Sequence, residues 1–181
     1  MFSFKSKITV KILNYYFLNP KKTHYINELA KILEVDPGNL FRKLKELEKE
    51  GILKTEMIGN QRYFSLNEKS PLLGEYKKIF EARHGLPEIL KNKLKEIKGL
   101  EEAYLFGSFV KGNFSEESDI DLLLVGKHKF ALVSNLVNEL EKKLGREINV
   151  VDFTKPELTS RLEKNDDFLK NVFAGKYIKL I

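Results

Sequence analysis

Two short clusters in this sequence carry residue types suited to chemistry on phosphates: Gly107-Ser108 and Asp119-Ile120-Asp121. The second opens a run, Asp119 to Gly126, whose apolar remainder reads as a strand. Side chains alternate faces along a strand, so Asp119 and Asp121 project together, a few ångströms apart. Like charges held that close repel unless a proton or a cation sits between them. A hard divalent cation with oxygen ligands, Mg2+ or Mn2+, resolves the repulsion and bridges to phosphate oxygens. Gly107 lets a phosphate approach the backbone, Ser108 supplies a hydroxyl, and the N–H groups opening the next helix favour negative charge. Phosphate on one side and metal on the other is what phosphoryl or nucleotidyl transfer requires.

The elements that must position these residues read as strand, turn, helix, polar loop, strand. Ala103 to Phe106 is a short apolar strand, Phe109 to Gly112 begins a helix, and Asn113 to Ser118 is the loop. Residues 130–144 form an amphipathic helix through Leu132, Leu136, Leu140 and Leu144, followed by a strand from Arg146 to Phe153. The tail reads as helix, helix and short strand, with Leu158, Leu162, Phe168, Leu169, Val172 and Phe173 as core. Asp166-Asp167 lies between the helices, where capping is the expected role.

A Gly-Ser turn or an Asp-x-Asp strand edge alone can be structural, but their order here is specific. The segment LFGSFVKGNFSEESDIDLLLVG closely resembles the minimal nucleotidyltransferase family, a branch of the DNA polymerase β-like superfamily. The resemblance covers roughly residues 98–181 and is densest over 105–126. It implies that Gly107 and Ser108 hold the triphosphate of an NTP, with ATP expected, and that Asp119 and Asp121 bind the metal ions. Lys111 falls where the family often places a basic residue beside the phosphates. The resemblance also implies a third carboxylate on a later strand, helping to hold the second metal and acting on the attacking hydroxyl. The matching position is Asn149, a neutral amide that can ligate a metal through oxygen but cannot act as a base. Glu147 shares the strand parity of Asn149 and is the first substitute; Asp152 has the opposite parity and needs a bulge to reach the site.

The first half of the chain has a different character. Residues 1–98 hold 20 Lys/Arg against 12 Asp/Glu, and residues 99–181 hold 12 against 14, so a net +8 half adjoins a net −2 half within the overall +6. The basic half is the one expected to meet a polyanion. Residues 4–18 place Ile8, Ile12, Tyr15 and Tyr16 on one helical face, and Asn19-Pro20 stops the helix. Thr23 precedes a second helix with Ile26, Leu29, Ala30 and Leu33 as its stripe. Asp36 and Pro37 start a third, which buries Leu40, Leu44 and Leu47 and ends at Gly51. Two β-prone runs flank Gly59-Asn60-Gln61 as a hairpin.

This order resembles the winged helix-turn-helix family of DNA-binding domains over about residues 1–68. The resemblance implies that Asn39, Arg42 and Lys43 read base edges or phosphates, with Arg62 contacting DNA from the wing. Residues 71–98 read as a helical connector broken at Gly85-Leu86-Pro87, and such a connector commonly supplies a dimer surface.

The expected fold is therefore α+β: a winged helix-turn-helix at 1–70, a connector at 71–98, and a nucleotidyltransferase-like α/β domain with a small mixed sheet at 99–181. The leading expectation is a DNA-binding protein that transfers NMP to an acceptor hydroxyl, on a protein, as in related modules of toxin–antitoxin systems, or on a small molecule. Its rival is a transcriptional regulator whose second domain senses nucleotide or dimerises without transfer, and a third reading has the first domain recruit a protein or RNA. The absence of cysteine excludes disulfides and thiolate metal sites, and the three histidines lack metal spacing. No apolar run reaches the ~20 residues of a membrane helix. The first residues lack a signal-peptide pattern, so a cytoplasmic protein without membrane partner is expected.

Overall fold

The computed structural model describes residues 6–115 and 117–181. Residues 4 and 5 of the expected first helix lie outside the described residues. The hydroxyl of Ser6 caps α1 (Lys7–Leu18) by accepting the Thr9 N–H. The second half of α1 is buried on all sides from Ile12 to Leu18, so this helix is a core rod, unlike a surface helix with one apolar stripe. The Tyr16 hydroxyl, inside that core, donates to the carbonyl of Phe64 at 2.8 Å.

The stretch after α1 departs from expectation. Thr23, read as the approach to a helix, belongs with His24 and Tyr25 to β1 (Thr23–Tyr25), paired antiparallel with β3. Backbone partners on β3 (Gln61–Leu66) outweigh the weak local preference for a cap, and α2 (Ile26–Leu33) begins only after Tyr25. Asp36 caps α3 (Pro37–Lys49), its carboxylate accepting the Asn39 N–H at 2.8 Å, with Pro37 in the first turn. β2 (Leu53–Ile58) and β3 form the hairpin, completing a sheet of order β1-β3-β2. Leu29, Leu40, Leu44, Leu47, Ile52 and Phe64 close one core with α1.

Gly85 separates α4 (Leu73–His84) from α5 (Leu86–Leu94), and Pro87 sits in the first turn of α5. A β-carbon on Gly85 would lie 2.8 Å from the Glu81 carbonyl oxygen, so only glycine lets the chain leave α4 there. The expected connector divides at this point. α4 groups with the first compact unit, with Phe80 against Phe17 at 5.4 Å, and α5 with the second, burying Leu86, Leu90 and Leu94.

The second unit is built on β4 (Leu100–Phe106), β5 (Ile120–Gly126), β6 (Ile148–Phe153) and β7 (Ile178–Lys179), in the order β6-β5-β4-β7. β5 runs parallel to β6, and β4 is antiparallel to both β5 and β7, so the sheet is mixed. α7 (Phe130–Leu144) makes the crossover from β5 to β6; its last three residues and the following Gly145 group with the first unit. Central β5 is buried from Leu122 to Gly126. α8 (Lys155–Glu163) starts with a reciprocal Thr154–Glu157 capping box, and Asp166 caps α9 (Asp167–Ala174). Three expected core residues differ: Leu132, Leu162 and Phe168 are exposed, and in α7 Val133 takes the inward position of Leu132. No helix among the described residues is long and apolar enough to cross a membrane.

Candidate functional site

The ladder of the second sheet sets the site. Phe106 on β4 stands opposite Asp121 on β5, which stands opposite Asn149 on β6. Residues directly across a ladder share a face, and Asp119, two before Asp121, shares it by alternation. The Asn149 amide donates to Asp119 Oδ2 at 3.0 Å and reaches Asp121 Oδ1 at 3.5 Å. Burial raises the Asp121 carboxyl above its ordinary value, with the charge of Asp119 adding to it, while the Asn149 amide and the Lys111 ammonium pull it back.

Gly107 fixes the other side. It adopts φ 78° and ψ −152°, and a β-carbon there would lie 2.0 Å from Asp121 Oδ2. The glycine is thus required twice, for its backbone conformation and for the space the carboxylate occupies. Ser108 follows at once, half-buried, at the start of α6 (Ser108–Lys111). α6 is a single turn ended by Gly112 in the left-handed region. The helix-start contribution expected from this segment is therefore small, and the polar groups it presents are its individual N–H groups, the Ser108 hydroxyl and the Lys111 ammonium.

The loop before Asp119 is held by contacts the sequence did not disclose. The Ser115 N–H donates to Ser118 Oγ at 2.9 Å, and the buried Arg146 donates to the Ser118 carbonyl at 3.4 Å. The Arg146 guanidinium also stacks over Phe114, 4.9 Å from the ring centroid. Arg146 thereby orders the loop that delivers Asp119; a basic residue at a strand start offered no sequence signal for that role.

Glu147 and Asp152 separate as strand parity expects. Glu147 precedes β6, its carbonyl accepting the Ile120 N–H at 2.9 Å, and its exposed side chain falls on the Asn149 face by alternation. Asp152 lies on the opposite face, 3.1 Å from His128 Nε2. Among the described residues no group of three His, Cys, Asp or Glu clusters as a metal centre. The donors that could hold a hard cation are the two carboxylates and, after a half-turn of the amide, the Asn149 oxygen, an all-oxygen set suited to magnesium or manganese.

In the first unit, Asn39, Arg42 and Arg62 are exposed and Lys43 is half-buried. Arg42 donates to Asn39 Oδ1 at 3.0 Å, and Lys43 pairs with Glu46 at 2.7 Å. Arg62, on β3, stands opposite Met57 of β2 near the hairpin tip.

A family model described as Polymerase beta, Nucleotidyltransferase matches residues 88–172. The chain is also 37% identical over 79 residues to the candidate protein adenylyltransferase MJ0604 of Methanocaldococcus jannaschii, covering 44% of this chain and 73% of that protein. The chain belongs to the polymerase beta nucleotidyltransferase family. The nucleotidyltransferase match includes Gly107-Ser108, both aspartates and Asn149. Solved structures superpose loosely. A toxin-antitoxin crystal structure with AMP-PNP gives a TM-score of 0.36 at 22% identity, covering 50% of this chain and 72% of that one. TrmBL2, an archaeal chromatin protein, gives 0.30 at 17%, covering 90% of this chain and 68% of that one.

Proposed function

We propose that the nucleotidyltransferase domain moves AMP from ATP to a hydroxyl on a protein acceptor. The observation that carries this is the row Asp121–Asn149 with Asp119 beside it, set against the Gly107-Ser108 turn. The protein acceptor is favoured over a small molecule by the similarity to a candidate protein adenylyltransferase.

In this reading Asp119, Asp121 and the Asn149 oxygen hold Mg2+ or Mn2+, which supplies charge neutralisation at the reacting phosphate. Gly107, Ser108 and Lys111 hold the triphosphate. The acceptor oxygen bonds to the α-phosphorus, the bond to the β-phosphate oxygen breaks, and pyrophosphate leaves. Glu147, on the face of Asn149, takes the hydroxyl proton. The first unit is a winged helix-turn-helix whose α3 and β2–β3 hairpin bind duplex DNA through Asn39, Arg42, Lys43 and Arg62. Leu72 and Ile79, each 55% exposed on or beside α4, suit a homodimer surface that would bring two such units to a palindromic site.

A second reading follows from one observation: Asn149 donates to both aspartates where the family carries a carboxylate. The domain would then bind nucleotide as a sensor for a DNA-bound regulator and transfer nothing. Labelled ATP, GTP, CTP and UTP with magnesium separate the two. Pyrophosphate release and labelled protein support transfer; retained nucleotide binding without release by any of the four supports the sensor. Nucleotide binding that is unchanged in Asp121→Asn would remove the site from both.

A further inference from the structure

A cavity of about 190 Å³ opens beside Gly107, on the side away from Asn149, and it involves residues of the C-terminal segment that carry no role so far. Its polar lining is Lys111, Asn171 and Lys176, and Phe106 and Phe168 wall it. The two rings meet edge to face with centroids 5.7 Å apart. That contact explains why Phe168 is 38% exposed where the sequence pattern places core: it forms the wall of a pocket.

The lining selects the ligand. Among the described residues, two ammonium groups and an amide face a space that has no carboxylate on its wall, and neither lysine has an ion-pair partner. Lysines brought to one cavity repel each other, and an anion between them relieves the repulsion. The volume is below the ~300–1,000 Å³ that encloses a whole drug-sized ligand, so the cavity takes part of a molecule. Phe106 sits directly across the ladder from Asp121, so that part is continuous with whatever lies at the aspartates.

We propose that Lys176 and Asn171, with Lys111, bind the β- and γ-phosphates of the donor nucleotide and the pyrophosphate it releases. The proposal rests on the nucleotidyl-transfer reading above. Negative charge grows on the leaving pyrophosphate as the α–β bond breaks, and fixed cations beside an aromatic wall stabilise it more than water does. The site is thereby polarised: leaving group over β4 and α9, acceptor over β6.

The test is calorimetric titration of the full chain with Mg-ATP, Mg-pyrophosphate and AMP, for wild type, Lys176→Ala, Lys176→Arg and Asn171→Ala. Lys176 and Asn171 are exposed, and a thermal melt of each variant is the control for folding. Lys176→Ala should weaken ATP and pyrophosphate about tenfold, the scale of one charge-assisted hydrogen bond, and leave AMP unchanged. Lys176→Arg should keep most of the affinity. Equal weakening for AMP would make the cavity a nucleoside pocket and overturn the proposal, as would no change for any ligand. Wild type that binds neither ATP nor pyrophosphate would instead sink the nucleotide reading of the domain itself.

Discussion

Gly107 and Asp121 are packed so closely that a β-carbon on the glycine would come 2.0 Å from the aspartate Oδ2. The turn that would receive phosphate and the carboxylate that would receive metal are therefore one mechanical unit. Gly107→Ala should displace the Asp121 carboxylate, abolish magnesium-dependent ATP binding and destabilise the fold by about 1–3 kcal/mol through backbone strain. Gly112 provides the control, since its φ is 84° but its β-carbon would meet open space. Gly112→Ala should cost about 1–2 kcal/mol and keep ATP affinity within about threefold. Calorimetry and denaturant melts on the pair decide the matter; equal ATP binding in both would show that the close approach is not functional.

How legible this was depends on the range of the interactions. The Asp-Ile-Asp pair, Gly-Ser and the Asp36 and Asp166 caps are local patterns, and periodicity or a single backbone contact defines them. The Thr23–Tyr25 strand was not legible, because its stability comes from Tyr63 to Ser65, about 40 residues away. The wall formed by Phe168 was hidden for a similar reason. Helical spacing marks an apolar residue, but cannot say whether core or cavity lies beneath it. Arg146 is the third case, since its partners Phe114 and Ser118 lie on a loop that only the β5–β6 pairing brings within reach.

The Asn149 amide quiets the repulsion between two carboxylates without a cation, so its replacement should change metal affinity in a definite direction. Asn149→Asp adds a third like charge to the row and should raise the affinity for Mg2+ or Mn2+ at least severalfold. If transfer survives in the native chain, Asn149→Asp should increase pyrophosphate release. If the native chain is a sensor, the substitution should begin to release it. Manganese titration by electron paramagnetic resonance, paired with a pyrophosphate assay, checks both; unchanged manganese affinity would place Asn149 outside the metal set.

Glu102 should govern part of the acid sensitivity of the second unit. The Tyr104 hydroxyl donates to its carboxylate, and Lys179 and Lys155 stand 3.5 and 3.4 Å away, so the carboxyl sits below its ordinary pKa despite partial burial. A depressed carboxyl contributes stability that is present above its unfolded pKa and is lost as pH falls through its folded value. Tyr104→Phe should lower stability by about 1–2 kcal/mol at pH 7 and flatten the acid limb. Lys179→Ala, an exposed partner, should cost less than about 1 kcal/mol. Denaturant unfolding from pH 7 to pH 3 measures both, and an acid limb unchanged in Tyr104→Phe would remove Glu102 as its source.

The basic face of α3 should not act as a uniform patch. Among the described residues the exposed Arg42 is bound only to the neutral Asn39, whereas Lys43 is already paired with Glu46 at 2.7 Å. An arginine free of acidic partners gives its whole charge to a phosphate, while a paired lysine must first release its glutamate. Arg42→Ala should therefore weaken duplex DNA binding more than Lys43→Ala, and the double variant should reduce the salt dependence of log K by about 2. Glu46→Ala should move the other way, tightening binding by freeing Lys43. Fluorescence anisotropy across a salt series reads all four proteins. Duplex affinity that is absent, or flat with salt, in the native chain would exclude DNA as the partner of this face and favour a protein-interaction role for α3.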